Sequence, residues 1–462
     1  MELFLVVVIA VLGFGILVFF HELGHFLTAK LFKIKVEKFA IGWGPAVVGF
    51  QGKETYYQLS VFPVGGFCKF KGDEMSRDFE EKARDKDSFY GVSPVKRLLV
   101  AFSGPFMNYI IAVIFLSLMS LGSYKEIKIP NKILLVEDYL SKFGVVELET
   151  PAKRGGLRSG DVIVQMNDKK IESYEDINKY MVFNGKKPVE ITVERDGNFE
   201  KFTVNPEWDP SQMKAIVGVY YYLDPIIKIK TDKALANYLK LQDNDKIIGI
   251  DDDYEHITDI VVNNFLQTNF ALKKSAILRV KRGDENIDVI IEFNKLNRYL
   301  TREECYLDFQ LPEVVVGGKN IFGAIADGFR SSNEIISISA IGLYSMIFKP
   351  KKDFSKQVGG PIRIGEIIGK LTYEGFKDGI WNGLRNFFSI VSYISLALAF
   401  FNLLPLPAVD GGHIILNIYE ILTRKQISLK VLSVINFVGF AILITLSIMV
   451  AFLDVSSLIK GG

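Results

Sequence analysis

Four long apolar runs divide the chain. Each run lacks Asp, Glu, Lys, Arg and His over roughly the 18 to 25 residues that a helix needs to cross a bilayer. The runs cover residues 3–20, 98–124, 386–409 and 431–453. A fifth apolar run, 335–348, is about 14 residues long, which is typical of an interfacial or buried helix. The pattern predicts a multi-pass α-helical membrane protein with four transmembrane helices.

The segment between the second and third runs is polar. Its length of about 260 residues is too great for a linker and predicts folded structure. It contains an internal repeat, in which LRSGDVIVQMNDKKIESYEDI at 157–177 is echoed by LQDNDKIIGIDDDYEHITDI at 241–260. In each copy, alternating apolar residues around an Asp-Gly or Gly-Asp pair predict a following β-hairpin. We therefore expect two strand-rich modules, each with a helix between its strand pairs.

Basic residues near the ends of the runs indicate the orientation in the membrane. Loops rich in Lys and Arg stay in the cytoplasm. Such residues flank the connection between the first two runs and the one between the last two: Lys30, Lys33, Lys35, Lys38, Lys96, Arg97, Arg424, Lys425 and Lys430. The N-terminus, residues 125–385 and the C-terminus are then expected outside the cytoplasm. The first run lacks a basic n-region and a cleavage site, so we expect it to stay in the mature protein.

Composition narrows the classes of function. The chain is 49% hydrophobic with a mean hydropathy of +0.22 and a net charge of only +2. No basic stripe with interleaved aromatic residues is present, so nucleic acid is not expected as a partner. Cys68 and Cys305 would lie on opposite sides of the membrane, which excludes a disulfide between them.

The chemistry is predicted at the end of the first apolar run, in HELGH. Residues four apart share a helix face, so His21 and His25 can bind one metal ion. Glu22 then lies beside the ion, where it can take a proton from water. Two imidazoles with a carboxylate and an open position predict zinc. Ionisable groups at membrane depth are costly and usually functional.

A third metal ligand is needed. The candidates are His256, His413, Asp410 and several glutamates. NLLPLPAVDGGH at 402–413 closes the third run, which enters the membrane in the same direction as the first run. Asp410, or the adjacent His413, is therefore expected at the depth of the His-Glu motif. His256 belongs to the outer repeat region.

The stretch FPVGGF predicts a hairpin near this depth. Gly65 and Gly66 between apolar residues indicate a tight turn rather than a helix. Non-helical backbone at membrane depth requires cover by protein or a wet cavity. An edge strand there could pair with an unwound substrate helix and expose its scissile carbonyl.

The first repeat resembles a PDZ domain of the circularly permuted bacterial kind, through TPAKRGGLRSGDVIVQMND. The second repeat keeps the pattern more loosely, with Asn244 and Asp245 where Gly-Asp stands. PDZ domains bind extended peptides by strand addition. The resemblance implies capture or filtering of a substrate's exposed chain, and the alternative is that the modules act only in packing.

The whole chain resembles the site-2 protease family of intramembrane zinc metalloproteases, and most closely its two-PDZ bacterial members of the regulator of sigma-E protease type. The matching pieces are HELGHFLTAK, VEKFAIGWGP, FPVGGFCKFKGD, SGPFMN, VGGPIRIG and NLLPLPAVDGG, in the family's order. Val409 and Gly359 depart from the family's usual residues, and neither is an expected ligand.

The resemblance implies zinc bound by His21, His25 and Asp410, with Glu22 as general base. Asn402 is implied to hold the substrate backbone, with Pro405 and Pro407 of the same motif and the Gly65–Gly66 hairpin beside it. His413 is implied to be structural. The implied fold is four transmembrane helices, a re-entrant β-hairpin at about 55–72, and two extracytoplasmic α+β PDZ domains.

The expected domains are 1–124 with the first two spans, 125–208 and 209–300 as the PDZ domains, 301–384 as interfacial helices, and 385–462 with the last two spans.

The expected function is cleavage of single-span membrane proteins already trimmed by a site-1 protease, such as anti-sigma factors in stress signalling, and of remnant signal peptides. The expected location is the bacterial inner membrane, with the active site toward the cytoplasm.

Two other functions fit the residues. A membrane-anchored gluzincin-like peptidase would act on cytosolic chains and use a glutamate as its third ligand. A non-catalytic envelope scaffold would use the PDZ pair for binding and keep a vestigial metal site.

Overall fold

The computed structural model describes residues 2–72, 85–145, 148–185, 187–209, 214–229, 234–302, 304–348, 361–407, 409–428 and part of 431–449. The chain forms two compact units. The first unit combines Met1–Tyr124 with Gly317–Gly462, and the second is Lys125–Val316.

The elements up to the second unit are α1 (Glu2–Leu31), β1 (Val36–Gln51), β2 (Tyr56–Phe70) and α2 (Pro94–Leu121). The second unit's elements, the first of which begins at Tyr124, are β3 (Tyr124–Ile127), β4 (Ile133–Leu135), α3 (Val136–Ser141), α4 (Pro151–Arg154), β5 (Val162–Met166), β6 (Lys169–Lys170), α5 (Tyr174–Asn184), β7 (Val189–Arg195), β8 (Asn198–Val204), β9 (Glu207–Asp209), β10 (Lys214–Ile216), β11 (Val219–Tyr221), α6 (Ala234–Tyr238), β12 (Lys246–Ile250), α7 (Asp259–Asn269), β13 (Ser275–Arg282), β14 (Glu285–Glu292), α8 (Phe293–Leu296) and β15 (Glu313–Val316). The first unit resumes with α9 (Ile321–Phe348), α10 (Pro361–Lys377), α11 (Ile380–Asn402) and α12 (Asp410–Thr423).

Three helices in the described part of the chain are long and apolar enough to cross a membrane: α1, α2 and α11. Their surfaces expose large apolar side chains such as Leu3, Phe4 and Leu118, as a lipid-facing surface requires. The fourth predicted span, 431–453, lies partly outside the described residues, and those that are described within it are helical. The count of four spans stays a prediction.

Helix α2 is the centre of the first unit. It packs against α1, α9, α11 and α12. Helix α9 runs beside α2 in the opposite direction. Just before α9 begins, the Lys319 amide bonds to the Ser120 carbonyl near the end of α2, and further along α9 Asn333 accepts a hydrogen bond from Tyr109, earlier in α2. At 28 residues, α9 is twice as long as the run 335–348 from which an interfacial helix is expected.

The third apolar run does not form one helix to residue 409. Helix α11 ends at Asn402, and α12 begins at Asp410. Pro405 and Pro407 lie between the two helices. Proline lacks the amide hydrogen that a continuing helix needs, so the chain turns there. Asp410 consequently opens a new helix.

Strands β1 and β2 form a sheet against α1. Residues 36–41 pair with 66–70 on one side, and 38–41 pair with 56–59 on the other. The tight turn of the hairpin is at Gly52–Thr55, where the Gly52 amide bonds to the Thr55 carbonyl. The prediction of a tight turn at Gly65–Gly66 was therefore wrong. Those two glycines lie within β2, and a side chain at Gly65 would clash with Trp43.

The two repeats of the second unit form equivalent structures. Strands β5, β7 and β8 pair in order, as do β12, β13 and β14. Asp161 in the first repeat bonds to Arg195 at 2.7 and 2.8 Å, and Asp245 in the second bonds to Arg282 at 2.8 and 2.6 Å. Each carboxylate thus fastens the turn before the first strand to the end of the second.

The first repeat's structure continues past residue 208. Strand β11 pairs with β4, and Ala215 and Val217 are buried in the first repeat's core with Ile163 and Ile191. A separate buried core around the second repeat extends to Cys305 and Leu307. Each core therefore includes residues that follow the expected domain ends at 208 and 300.

Candidate metal centre and active site

The His-Glu motif lies within α1, not after it. The helix continues to Leu31, so His21 and His25 occupy successive turns of one face. Their Nε2 atoms are 3.3 Å apart. His25 is buried and His21 half-buried.

Asp410 completes a cluster of three donors. Its Oδ2 lies 3.2 Å from His21 Nε2, and its Oδ1 lies 3.4 Å from His25 Nε2. The first residue of α12 is therefore brought against the C-terminal third of α1. Among the described residues, this is the one group of His, Cys, Asp and Glu side chains whose donor atoms converge in this way.

The separations fit a zinc ion. Ligands of a tetrahedral zinc at about 2.0–2.2 Å from the metal lie about 3.3 Å from one another. The three measured separations are 3.2, 3.3 and 3.4 Å. Two imidazoles and one carboxylate are also donors that zinc prefers. The donor set and its spacing therefore fit the metal.

Helix α2 supplies the support behind the histidines. His25 Nδ1 lies 2.8 Å from the Val100 carbonyl oxygen, which accepts its hydrogen and leaves Nε2 free for a metal. His21 Nδ1 lies 3.3 Å from the Asn108 amide. Gly104 of the same helix leaves the room that the rings occupy, because a Cβ there would lie 2.2 Å from His25 Nε2.

A cavity of about 380 Å³ opens beside the donor cluster. Its lining brings together α1, β2, α2, α12 and the segment before α2: His21, Glu22, His25, Gly66, Phe67, Cys68, Phe70, Phe89, Tyr90, Val100, Ala101, Asp410 and His413. The Glu22 side chain accepts a hydrogen bond from the Cys68 backbone. The Glu22 carboxylate, the donor cluster and a strand of β2 therefore share one cavity.

The β2 residues in this cavity are paired with β1. Residues 66–70 pair with residues 36–41, and Gly66, Phe67, Cys68 and Phe70 line the cavity. A side chain at Gly66 would lie 2.5 Å from Val18 and 3.2 Å from the Glu22 side chain. Glycine at this position lets the strand pass directly beside the carboxylate.

The remaining predicted residues are placed as follows. Asn402, the last residue of α11, has its amide nitrogen 3.4 Å from His21 Nε2. His413 lines the cavity but is not in the donor cluster. Pro405 and Pro407 lie in the turn between α11 and α12. Gly65 contacts Trp43 rather than the cavity, and His256 belongs to the second unit.

Sequence reasoning missed two residues of the site. Gly104 and Asn108 both belong to SGPFMN, which was matched as a family motif without a role. Their spacing of four residues places them on one face of a helix. This spacing was the feature of the sequence that could have indicated a shared role for them.

Comparison with known proteins decides the family. The family model described as "Peptidase family M50" matches residues 9–446. The chain belongs to peptidase family M50.

Relatives of this M50 peptidase match over nearly their full length. A protein of Treponema pallidum is 29% identical over 94% of this chain and 95% of its own. One from Borreliella burgdorferi is 30% identical over 94% of both chains, and one from Clostridium acetobutylicum is 26% identical over 97% of both. All three carry the name "Putative zinc metalloprotease". The predicted family, enzyme class and zinc cofactor are confirmed: this M50 peptidase is a membrane-embedded zinc metalloprotease.

Proposed function

We propose that this M50 peptidase is an intramembrane endopeptidase that cleaves single-span transmembrane segments within or near the bilayer. The observation that supports the proposal is the shared cavity, in which the His21, His25 and Asp410 donors, the Glu22 carboxylate and residues of β2 lie side by side. Two of these parts belong to a helix apolar enough to cross a membrane.

His21, His25 and Asp410 hold the zinc ion in this proposal. Bound zinc supplies Lewis acidity toward a peptide carbonyl and lowers the pKa of water to about 7. The Val100 carbonyl orients the His25 ring, so that its Nε2 lone pair points into the donor cluster. Asp410 adds a negative charge that balances part of the ion's charge.

Glu22 is the general base. It is not one of the three donors, and its carboxylate lines the same cavity. It takes the proton from the attacking water and later delivers that proton to the leaving amine. The Cys68 backbone hydrogen bond holds the carboxylate in position between these two transfers.

The β2 segment at residues 66–70 receives the substrate in this proposal. A transmembrane helix hides its carbonyls in internal hydrogen bonds, so it must unwind before attack. An unwound segment that lies along this strand would expose a scissile carbonyl in the cavity beside Glu22. Asn402, next to His21, binds the substrate backbone at the scissile bond, and Pro405 and Pro407 shape the turn that places it.

The repeats of the second unit act as PDZ domains that filter substrates. In the first repeat, a cavity of about 230 Å³ lies between α5 and residues 215–219, lined by Ile177, Met181 and Val217 among others. A groove between a helix and a strand suits an extended peptide. Such a filter would admit substrates whose outer domains have been trimmed, such as anti-sigma factors cut by a site-1 protease. It would also admit remnant signal peptides.

The basic connections support the predicted orientation. The metal centre then faces the cytoplasmic side of the bacterial inner membrane, and the second unit lies outside the cytoplasm. Water reaches Glu22 from the cytoplasm through the cavity.

Cleavage of a model single-span substrate in vesicles tests the proposal. Glu22→Gln is expected to keep zinc and to lower the cleavage rate by at least about 100-fold. Equal cleavage by wild type and Glu22→Gln would reject it.

Zinc analysis separates the other two functions. Asp410→Ala is expected to lose zinc, whereas a gluzincin-like peptidase with a glutamate ligand would keep it. A non-catalytic scaffold would bind no zinc and would retain its function after His21→Ala.

A further inference from the structure

The two metal-centre histidines differ in what faces their outer ring nitrogen. His25 Nδ1 faces the Val100 carbonyl, which can only accept a hydrogen bond. His21 Nδ1 faces the side-chain amide of Asn108, which has a donor end and an acceptor end. One histidine is thus oriented by the backbone, and the other by a side chain that can be replaced.

The orientation of the Asn108 amide determines which His21 nitrogen is available. With its nitrogen toward His21, the amide donates to Nδ1, and the ring hydrogen must then reside on Nε2, where it would block a metal. With its oxygen toward His21, the amide accepts from Nδ1–H and leaves Nε2 as a lone pair. The two ends have nearly the same shape, so the amide can rotate within its site.

The burial of Asn108 favours the second orientation. The side chain is fully buried, and its Oδ1 has no hydrogen-bond partner while its nitrogen faces His21. A buried acceptor without a partner is costly. Turning Oδ1 toward Nδ1–H gives this oxygen a partner and leaves His21 in the form that binds metal.

We propose that Asn108 is a positioning residue for zinc: its Oδ1 accepts the Nδ1 hydrogen of His21 and so fixes the tautomer and the ring angle that the metal requires. The proposal rests on His21 as a zinc ligand. Asn108 contacts neither the three donor atoms nor the cavity, so it acts on the metal through His21.

The backbone around Asn108 is held independently of its side chain. Ser395 of α11 donates a hydrogen bond of 2.9 Å to the Asn108 carbonyl, and both residues are fully buried. Substitution of the side chain leaves this contact in place. Asp and Leu are close to Asn in size, so they test the hydrogen bond with little change in packing.

The experiment measures zinc affinity of the full-length protein by competition with a chelator of known affinity. Asn108→Asp keeps an acceptor and is expected to retain zinc within a few-fold of wild type. Asn108→Leu is expected to weaken zinc binding by about 10- to 100-fold. Ser117→Ala is the matched control, because Ser117 is a buried polar residue of the same helix that bonds only within it, and no change is expected.

The absorption spectrum of the Co²⁺-substituted protein reports the geometry of the metal's ligands. If Asn108 only stabilised the fold, its substitution would not change this spectrum. Asn108→Asp is expected to keep the wild-type tetrahedral bands, and Asn108→Leu to shift them. Wild-type zinc affinity and spectrum in Asn108→Leu would overturn the proposal. If Asn108→Leu does not fold, Asn108→Ala removes the acceptor with a smaller side chain and is expected to weaken zinc binding in the same way, and wild-type affinity in Asn108→Ala would overturn the proposal.

His21→Ala distinguishes this proposal from the proposed function. Loss of zinc in His21→Ala with full affinity in Asn108→Leu would reject the role of Asn108 and keep the metal centre. Retention of zinc in His21→Ala would reject the metal centre itself.

Discussion

Arg97 on α2 donates a hydrogen bond of 2.5 Å to Glu420 on α12, and the two side chains are only 5% and 4% exposed. Glu420 also accepts from the Ile427 amide. Helix α12 carries Asp410 at its first residue and Glu420 near its last turn. The ion pair therefore anchors the helix that presents the third donor to the histidines.

Removal of one partner of this pair is expected to disturb the metal centre. A buried charge without its partner costs about 3–5 kcal/mol. Arg97→Ala and Glu420→Ala should each lower the unfolding temperature and the zinc content. Arg97→Met with Glu420→Leu removes both charges and should recover much of each loss, and a double variant as damaged as the single ones would contradict the anchoring role.

Gly104 is expected to be essential for metal binding. A methyl group at this position would lie 2.2 Å from His25 Nε2 and 2.9 Å from His21 Cε1. Gly104→Ala should therefore weaken zinc binding by at least about 10- to 100-fold, as loss of ligand orientation does. Gly122→Ala, just past the end of the same helix, meets open space and should bind zinc as wild type does.

The Asp161–Arg195 and Asp245–Arg282 pairs are expected to stabilise the two repeats separately. Both carboxylates are almost fully buried, with 2% and 1% of the side chain exposed. Asp161→Asn and Asp245→Asn should each cost about 1–3 kcal/mol, seen as faster hydrogen exchange in the hairpin of that repeat. The exposed pair Lys201–Glu190 provides the control, since Glu190→Gln should change exchange by less than about 1 kcal/mol.

The second repeat is expected to lose stability as pH rises. Burial raises the pKa of the Asp259 carboxyl from its ordinary 3.8 to about 6, and one of its oxygens is buried without a partner. A pKa raised in the folded state favours the protonated form, so this contribution is complete below about pH 3.8 and disappears as pH passes 6.

Asp259→Asn should therefore slow hydrogen exchange in α7 at pH 7.5, equivalent to about 1–3 kcal/mol, and flatten its dependence on pH between 4 and 7. Asp252, in the same repeat, is fully exposed. Asp252→Asn should leave the pH dependence unchanged, and a wild-type profile in Asp259→Asn would contradict the prediction.

Local patterns in the chain were sufficient for several parts of the protein. The spacing of His21 and His25 reports helix geometry, which depends on neighbours along the chain. The repeat at 157–177 and 241–260 was also visible, and the structure adds that both copies use one Asp–Arg contact. Apolar length predicted α1, α2 and most of α11.

Other parts depended on contacts between distant residues. The turn at Gly52–Thr55 was missed because Gly65–Gly66 is the stronger local turn signal, although close approach to Trp43 and Val18 is what those glycines permit. Arg97 contributed to the orientation argument as a basic loop residue, but it is buried in an ion pair with Glu420, 323 positions away.

The sequence by itself determined the helix that carries the histidines and glutamate, the apolar runs, the repeated modules and the zinc chemistry, because each follows from residue type and short-range spacing. Only the tertiary structure decided how closely Asp410 approaches the two histidines, that residues 66–70 lie beside Glu22, and that Gly104 and Asn108 support the histidine rings. These depend on how α2, α12 and the β1–β2 sheet pack against α1, and packing among residues far apart in the chain is not encoded in any local pattern.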